Sequence, residues 1–285
     1  MKDNTIGTLY LVPTPIGNLE DMTYRAVRVL SEVDMIAADD TRHTGQLLKH
    51  FEISKPLISY HEHNKDQKGP ELMEALLEGK DIAQWSDAGM PAISDPGADL
   101  VALAIEAGVP VVPLPGANAG LTALIASGMD TKAFSFIGFL PKRGKHRSQE
   151  LERIKSMEGT IIFYEAPHRL KEVLEDMYKV LGNRPITLAR ELTKKFEEFT
   201  RSDLQNLVEH IDDITYKGEF VVLLGGAETA TDVPDSGDTA GSELSYVEAV
   251  QLLVDQGMQK KEAIRTIAKE RGVSRREVYN AVEQG

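Results

Sequence analysis

The first half of the chain alternates short apolar runs with amphipathic stretches, and this alternation constrains the fold more than any other feature. The apolar runs lie at Thr8–Val12, Met35–Ala38, Leu57–Tyr60, Ile82–Trp85 and Val109–Leu114. Helically spaced apolar residues fall between or after them, at Tyr24–Val33, Thr44–Phe51, Pro70–Leu77, Ala98–Ala107 and Asn118–Ser127. Because parallel strands require crossover connections, the pattern predicts a largely parallel sheet flanked by helices.

A second alternation follows a basic loop at Phe139–Arg147, which contains a proline and a glycine. Its predicted strands and helices are Thr160–Tyr164, His168–Leu181, Ile186–Glu191, Ser202–Ile211 and Phe220–Leu224. A length of 285 residues suits two domains. We therefore predict an α/β fold class with an N-terminal α/β domain at 1–122 and a C-terminal α/β domain at 123–226.

The end of the chain has a different composition. Residues 226–241 are rich in glycine, alanine, threonine, aspartate and serine without an apolar period, so we predict a flexible linker at 227–242. For residues 243–285 we predict a small helical unit that resembles a helix-turn-helix. Within it, Gln259–Arg276 holds seven basic and two acidic residues. Such a stretch fits either a docking surface for a polyanion or a solvated helical face.

Bulk properties narrow the class of protein. The net charge of −13 does not favour a protein that coats nucleic acid. No apolar run approaches the length of a membrane span, and the N-terminus lacks the apolar core of a secretion signal. The absence of cysteine excludes disulfides and thiolate metal sites. We expect a cytoplasmic protein.

Three loops that follow predicted strands carry unusual residues. They are Val12–Asn18 (VPTPIGN), Ser86–Gly97 (SDAGMPAISDPG) and Pro113–Gly120 (PLPGANAG). Ligands of open α/β sheets bind where such loops lie, at the carboxyl ends of the strands. None of the loops has a dinucleotide-binding or triphosphate-binding glycine pattern. The second loop exposes much backbone and predicts a ligand site, with a purely structural loop as the alternative. For the first and third loops the alternatives are a tight turn and close packing of a helix on the sheet.

Polar residues follow other predicted strands, at Ala38–His43, Ser59–Asn64, Tyr164–Arg169 and Ala189–Lys195. If the two domains face each other, the last two segments line the same cleft as the loops. Asp40 or Thr41 also fits a simple helix cap. His61 and His63 have no evident third ligand, so we expect no metal.

Taken in order, these segments resemble a known family. The matching stretches are VPTPIGNLEDMTYRA, AADDTRHTGQLL, SYHEHN, SDAGMPAISDPG, PGANA, GFLPKR, FYEAPHR, ARELTK and KGEFVVLLGG. They resemble the class III, tetrapyrrole-methylase-like S-adenosylmethionine transferases, in the branch that modifies small-subunit ribosomal RNA. The resemblance implies a two-domain fold with a cofactor cleft between the domains. It also implies 2′-O-methylation of a cytidine in the decoding region of 16S rRNA, cytidine 1402 in conventional numbering.

The resemblance, with position and chemical type, suggests candidate site residues. For S-adenosylmethionine these are Pro15, Asp87, Gly89, Ile93, Ser94, Ala117, Tyr164 and Gly218. For RNA phosphates they are Arg42, Lys142, Arg143, Arg147, Arg169 and Arg190. A ribose hydroxyl needs a base or a hydrogen-bond acceptor, for which the candidates are His61, Glu165 and His168, with Asp40 to orient one of them.

Three further expectations concern partners and alternatives. The partner is 16S rRNA or the small ribosomal subunit, no membrane is involved, and the family implies a homodimer. One alternative is a small-molecule tetrapyrrole methyltransferase on the same fold. The other is a non-catalytic RNA-binding protein with a vestigial pocket, against which the complete loops at 87–97 and 115–118 argue.

Overall fold

A computed structural model describes residues 6–227, 245–255, 258–271 and 273–284. The chain divides into two compact units, Met1–Thr229 and Ala230–Gly285. The predicted linker at 227–242 lies outside the described residues except for Ala227. In the part of the chain that is described, no helix is both long and apolar enough to cross a membrane.

The first sheet of the larger unit is wholly parallel, as the alternation predicts. Its strands run in the order β3-β2-β4-β1-β5. They are β1 (Leu9–Val12), β2 (Met35–Ala38), β3 (Leu57–Ser59), β4 (Ile82–Trp85) and β5 (Val111–Pro113). The connecting helices are α1 (Tyr24–Glu32), α2 (Thr41–His50), α3 (Lys65–Leu77) and α4 (Gly97–Glu106). Two apolar clusters, containing Leu72 and Trp85 respectively, include residues of the sheet and of these helices.

The second sheet is mostly antiparallel, in the order β6-β7-β10-β8-β9. Its strands are β6 (Phe134–Phe139), β7 (Thr160–Glu165), β8 (Pro185–Arg190), β9 (Glu198–Asp203) and β10 (Phe220–Gly225). Its helices are α5 (Ala119–Ser127), α6 (Lys145–Ile154), α7 (Pro167–Leu181) and α8 (Leu204–Glu209). Short 3₁₀ turns lie at Leu19–Asp21 and Ile211–Asp213. The predicted α/β fold class, with a second sheet after the first, is therefore confirmed.

Four elements of this half differ from the prediction, and two of them, β6 and β9, were not predicted. Strands β6 and β9 are the two edges of the sheet, and their sequences, FSFIGF and EFTRSD, lack a plain buried apolar run. The predicted loop at Phe139–Arg147 is wrong from Lys145 onwards, where α6 begins. The predicted helix at Ser202–Ile211 starts too early, because Ser202 still pairs with β8.

Helix α5 belongs structurally with the second sheet. It contacts β7, β8 and β10, and its buried Ala123 and Leu124 pack with Ile162 and Leu223. The predicted boundary between 122 and 123 therefore falls inside a helix, and the chain passes from one sheet to the other over residues 114–118.

The smaller unit contains three helices over its described residues, as predicted. They are α9 (Tyr246–Asp255), α10 (Lys260–Glu270) and α11 (Arg275–Gln284). Their apolar core consists of Ala249, Val250, Ala263, Ile264, Ile267, Ala268 and Val278.

Candidate functional site

The larger unit contains a cavity of about 540 Å³ between the ends of the two sheets. Volumes of roughly 300–1,000 Å³ are usual for cofactor and small-molecule sites. The first sheet contributes the loops after β1, β2 and β4, and the second contributes the ends of β6, β7 and β8 and the start of β10. The lining is Ile16, Asp39, Ser86–Met90, Ile93–Asp95, Asn118, Ala119, Phe139, Tyr164–Pro167, Ala189, Leu192 and Glu219–Val221.

The loops after β1 and β4 are joined by backbone hydrogen bonds. The Thr14 N–H donates to the Gly89 carbonyl at 2.9 Å, and the Gly89 N–H donates to the Thr14 carbonyl at 2.8 Å. The Thr14 hydroxyl also donates to the Ser86 carbonyl at 2.6 Å. Gly89 has φ +77°, which favours glycine, and a methyl group there would contact Ile16 and the Ala117 carbonyl. These contacts give the two loops one fixed arrangement.

The loop from Ala92 to Gly97 is strained and held by one carboxylate. Ala92 and Ser94 have φ of +67° and +66°, a region that non-glycine residues rarely occupy. One Asp95 oxygen, Oδ1, accepts from the N–H groups of Ala92 at 2.9 Å and Gly97 at 2.7 Å. Burial raises the pKa of Asp95, and the two N–H groups oppose that rise. The loop backbone therefore depends on this side chain for its shape.

Aromatic rings form the wall of the cavity on the second sheet. Tyr164 accepts a hydrogen bond from the Gly120 N–H at 3.2 Å. Its ring meets Phe136 at 4.9 Å and Phe139 at 5.8 Å between centroids, both edge to face. The cavity thus combines an apolar aromatic wall with the polar loops of the first sheet.

Glu165 supplies a buried carboxylate at the end of β7. Its side chain is 1% exposed; Oε1 accepts from the Ala166 N–H at 2.9 Å and lies 3.1 Å from Arg169 Nε. The other oxygen, Oε2, has no hydrogen-bond partner among the described residues. Burial raises the pKa of Glu165, although the Ala166 N–H and the nearby cations oppose the rise. Of the four predicted catalytic side chains, only Glu165 belongs to a residue that lines the cavity.

The other three predicted catalytic residues, Asp40, His61 and His168, do not line the cavity. Asp40 is the N-cap of α2, since its carboxylate accepts from the N–H groups of Arg42 at 2.8 Å and His43 at 3.3 Å. These bonds lower the pKa of Asp40. His61 and His168 do not line the cavity, and His168 is exposed.

Asp39, which sequence reasoning did not single out, lines the cavity beside this cap. Burial and the carboxylate of Asp87 raise the pKa of Asp39. Within the described residues, no three His, Asp or Glu side chains stand close enough together to hold a metal ion.

Five of the eight predicted cofactor residues line the cavity: Asp87, Gly89, Ile93, Ser94 and Tyr164. Pro15, Ala117 and Gly218 do not, but they adjoin residues that do. At Gly218, φ is +80° and a methyl group would lie 2.3 Å from Glu191 Oε1, so this glycine makes room for that side chain. Its role is in shaping the loop before β10.

Apart from Arg147, the predicted RNA contacts fall into two groups. Lys142 and Arg143 are exposed, and the Arg42 side chain is 91% exposed. Arg169 donates to the Leu140 carbonyl at 2.7 Å, and Arg190 pairs with Glu198 at 2.7 Å. The last two therefore have protein partners and are only partly exposed.

For Arg147 the prediction is wrong. Its side chain is 1% exposed and pairs with Asp176 at 2.7 Å and Glu172 at 3.2 Å. Arg147 also donates to the Pro141 carbonyl at 3.1 Å. It therefore ties α6 to α7 instead of facing a phosphate.

Comparison with known proteins agrees with this architecture. Residues 8–208 match the model of the tetrapyrrole (corrin/porphyrin) methylases. The solved structure of a cobalt precorrin-4 methyltransferase superimposes with a TM-score of 0.60 at 15% identity, covering 79% of this chain and 97% of that one. A uroporphyrin-III C-methyl transferase from Thermus thermophilus, complexed with S-adenosyl homocysteine, gives 0.54 at 19% identity, covering 77% and 97%. The chain belongs to the tetrapyrrole-methylase-like methyltransferases and has their fold.

Relatives with higher sequence identity narrow the assignment of the chain to a family. The chain is 52% identical over 278 residues to a ribosomal RNA small subunit methyltransferase I from Halalkalibacterium halodurans, covering 98% of this chain and 95% of the relative. A protein of the same name from Bacillus subtilis is 50% identical, with coverage of 97% and 94%. The chain belongs to the ribosomal RNA small subunit methyltransferase I family.

Proposed function

We propose that this protein uses S-adenosylmethionine to methylate the ribose 2′-oxygen of cytidine 1402 in the decoding region of 16S rRNA, in the cytoplasm. The observation that carries the substrate class is the 52% identity, over nearly the whole chain, to a relative whose name specifies small-subunit ribosomal RNA. The nucleotide and the oxygen rest on the family resemblance of the loop motifs.

The cavity fits the cofactor in size and chemistry. Its polar loops offer backbone groups and carboxylates to an amino acid and a ribose, and the ring of Tyr164 offers a dry surface. We propose that Asp87, Gly89, Ile93, Ser94 and Tyr164 hold it, while Pro15, Ala117 and Gly218 support the loops. When bound, S-adenosylmethionine supplies an electrophilic methyl group on a sulfonium sulfur. The protein must then align and activate the hydroxyl.

Glu165 is the residue that we propose to activate the hydroxyl. Its Oε2, which has no hydrogen-bond partner among the described residues, would take the proton of the 2′-hydroxyl. A carboxylate with a raised pKa is a better base than an ordinary one, because base strength follows pKa. Asp40 is already satisfied as a helix cap, and neither His61 nor His168 lines the cavity.

For RNA binding, we propose phosphate contacts by the exposed side chains of Arg42, Lys142 and Arg143. The chain total of −13 includes a net charge of +5 on residues 259–276, so the remainder carries −18. A polyanion would therefore be repelled by most of the protein and admitted at few places. In the smaller unit, exposed Lys261, Arg265 and Lys269 recur at helical spacing along α10.

The experiment that tests this function is labelled methyl transfer to small subunits from cells that lack the modification, followed by mapping of the methylated nucleotide. We expect one methyl group per subunit, on the 2′-oxygen of cytidine 1402. Transfer to a tetrapyrrole and not to RNA would instead establish the small-molecule alternative. Binding of S-adenosylhomocysteine without any transfer would favour a non-catalytic role.

We also propose that the protein acts as a homodimer. Exposed apolar side chains cluster on the same side of the second sheet, where Phe134 and Phe136 of β6 are 45% and 38% exposed. On α5, Leu121 and Ile125 are 44% and 79% exposed. Exposed apolar groups of this kind mark association surfaces. Replacing Ile125 by lysine is expected to shift the protein from dimer to monomer in sedimentation equilibrium; a dimer of unchanged affinity would exclude this surface.

A further inference from the structure

Strand β6 contains an irregularity beside the cavity. Phe136 pairs with Ile162, but Gly138 pairs with the next residue, Phe163, so one extra residue is inserted in β6. Gly138 has φ +74°, which favours glycine. Bulges of this kind often lie next to active sites, where they re-aim a side chain.

The side chain that this bulge re-aims is Phe139. In a regular strand, side chains alternate between faces, so Phe139 would follow Ile137 into the core behind the sheet. With the inserted residue, Phe139 pairs with Tyr164 and lies on the same face as Phe136. It thereby lines the cavity and leaves 56% of its surface exposed.

The ring of Phe139 is held in a fixed orientation. It packs edge to face on Tyr164 at an interplanar angle of 66°. Tyr164 is itself fixed by Phe136 on one side and by the Gly120 N–H at its hydroxyl. A large apolar ring on a rigid support, half open to solvent at a cavity, offers apolar area that a ligand can cover.

We infer that Phe139 is a stacking platform for the base of the nucleotide that is methylated, an inference that rests on the proposed function. A ribose hydroxyl reaches a cavity between two sheets only if its nucleotide leaves the RNA stack. The base then loses its neighbours, and an exposed aromatic ring replaces the lost contact. Phe139 lies at the strand end beside Tyr164, and Phe139 and Glu165 both line the cavity, so a base on this ring keeps its ribose in the cavity that contains the proposed acceptor.

Phe139 also allows a sharp test, because leucine keeps apolar bulk while removing the flat ring. Phe139→Leu is expected to lower kcat/KM for small subunits by about 5- to 150-fold, the range of base–aromatic stacking. Phe139→Tyr keeps the ring and should remain within about threefold of wild type. The matched control is Tyr24→Leu, which removes a ring that is 97% exposed and outside the cavity lining.

Two further measurements separate stacking from other roles. The affinity for S-adenosylhomocysteine, measured by calorimetry, should be equal in wild type and Phe139→Leu; a loss matching that in kcat/KM would place the ring against the cofactor and overturn the inference. Thermal unfolding of Phe139→Leu should match wild type, because the ring is half exposed. If the unfolding temperature of Phe139→Leu does differ from wild type, the kcat/KM values of Phe139→Tyr and Phe139→Trp decide, since both variants keep a ring.

The outcomes also distinguish this inference from the proposed function. An active wild type whose Phe139→Leu variant is equally active on subunits contradicts the stacking role alone. Equal losses in the leucine and tyrosine variants contradict it as well. A wild type that does not methylate small subunits contradicts the proposed function, and the stacking role falls with it.

Discussion

Replacing Glu165 by glutamine is expected to lower kcat for RNA methylation by about 10²- to 10⁴-fold, the usual contribution of a positioned general base. Glutamine keeps the size of the side chain and an oxygen that can accept from the Ala166 N–H. It removes the oxygen that takes the proton, which is Oε2, unpartnered among the described residues. Single-turnover methylation of small subunits measures the effect directly. A loss of less than about threefold would exclude Glu165 as the base.

The stability of the same variant separates catalysis from structure. Because burial raises the pKa of Glu165, folding favours its protonated form, and the ionised form costs stability once the pH exceeds the unfolded-state pKa. A neutral glutamine avoids that cost, so Glu165→Gln should be at least as stable as wild type at pH 7. A purely structural ion pair with Arg169 predicts the opposite, a lower midpoint in urea.

The pH dependence follows from the same carboxylate. As only the ionised form accepts a proton, kcat should rise with pH through the raised pKa of Glu165 and then level off. In Glu165→Gln, kcat should not rise with pH through this range, while any other pH-dependent change in kcat should remain. The matched control is Glu152→Gln, which changes an exposed glutamate on α6 outside the cavity lining and should keep the wild-type profile.

Much of this site could be read from the sequence because strand ends are easy to locate. Buried apolar runs such as Ile82–Trp85 predict strands, and in parallel sheets the loops after them meet at one edge. The loops after β1 and β4, which contain Ile16 and Gly89, were therefore predictable as neighbours although they are far apart along the chain. Glu165 was predictable as a candidate base by its chemical type and its place at the end of β7.

The sequence did not reveal the register of β6 or the burial of Arg147. Phe139 reaches the cavity only through the bulge at Gly138, and a bulge changes which face a residue occupies without a clear sequence signal. Arg147 lies in a run of basic residues that resembles a phosphate-binding loop. Its pairing with Glu172 and Asp176, 25 or more residues away, follows from the packing of α6 on α7. The spacing of basic residues alone cannot distinguish a phosphate contact from a buried ion pair.

Asp95 is the residue whose replacement should most affect cofactor binding, because its hydrogen bonds hold the loop from Ala92 to Gly97 in shape. Backbone strain at a non-glycine residue costs about 1 to 3 kcal/mol, and this loop has two such residues, Ala92 and Ser94. In Asp95→Ala the carboxylate no longer holds the N–H groups of Ala92 and Gly97, so the empty loop relaxes. Binding must then restore the strained form. We expect a loss of about 30- to 1,000-fold in affinity for S-adenosylhomocysteine by calorimetry.

Two companion variants show whether strain is the cause. Asp95→Asn retains an oxygen that can accept from both N–H groups, so its affinity should stay within a few-fold of wild type. Ala92→Gly removes the penalty at one strained position, because glycine adopts positive φ freely. Added to Asp95→Ala, it should restore part of the lost affinity, although Ala92 does not line the cavity and glycine offers no new contact. A partial recovery of affinity without a new contact can come only from the backbone. If Ala92→Gly restores no affinity, or if Asp95→Asn binds as weakly as Asp95→Ala, the carboxylate binds the cofactor itself.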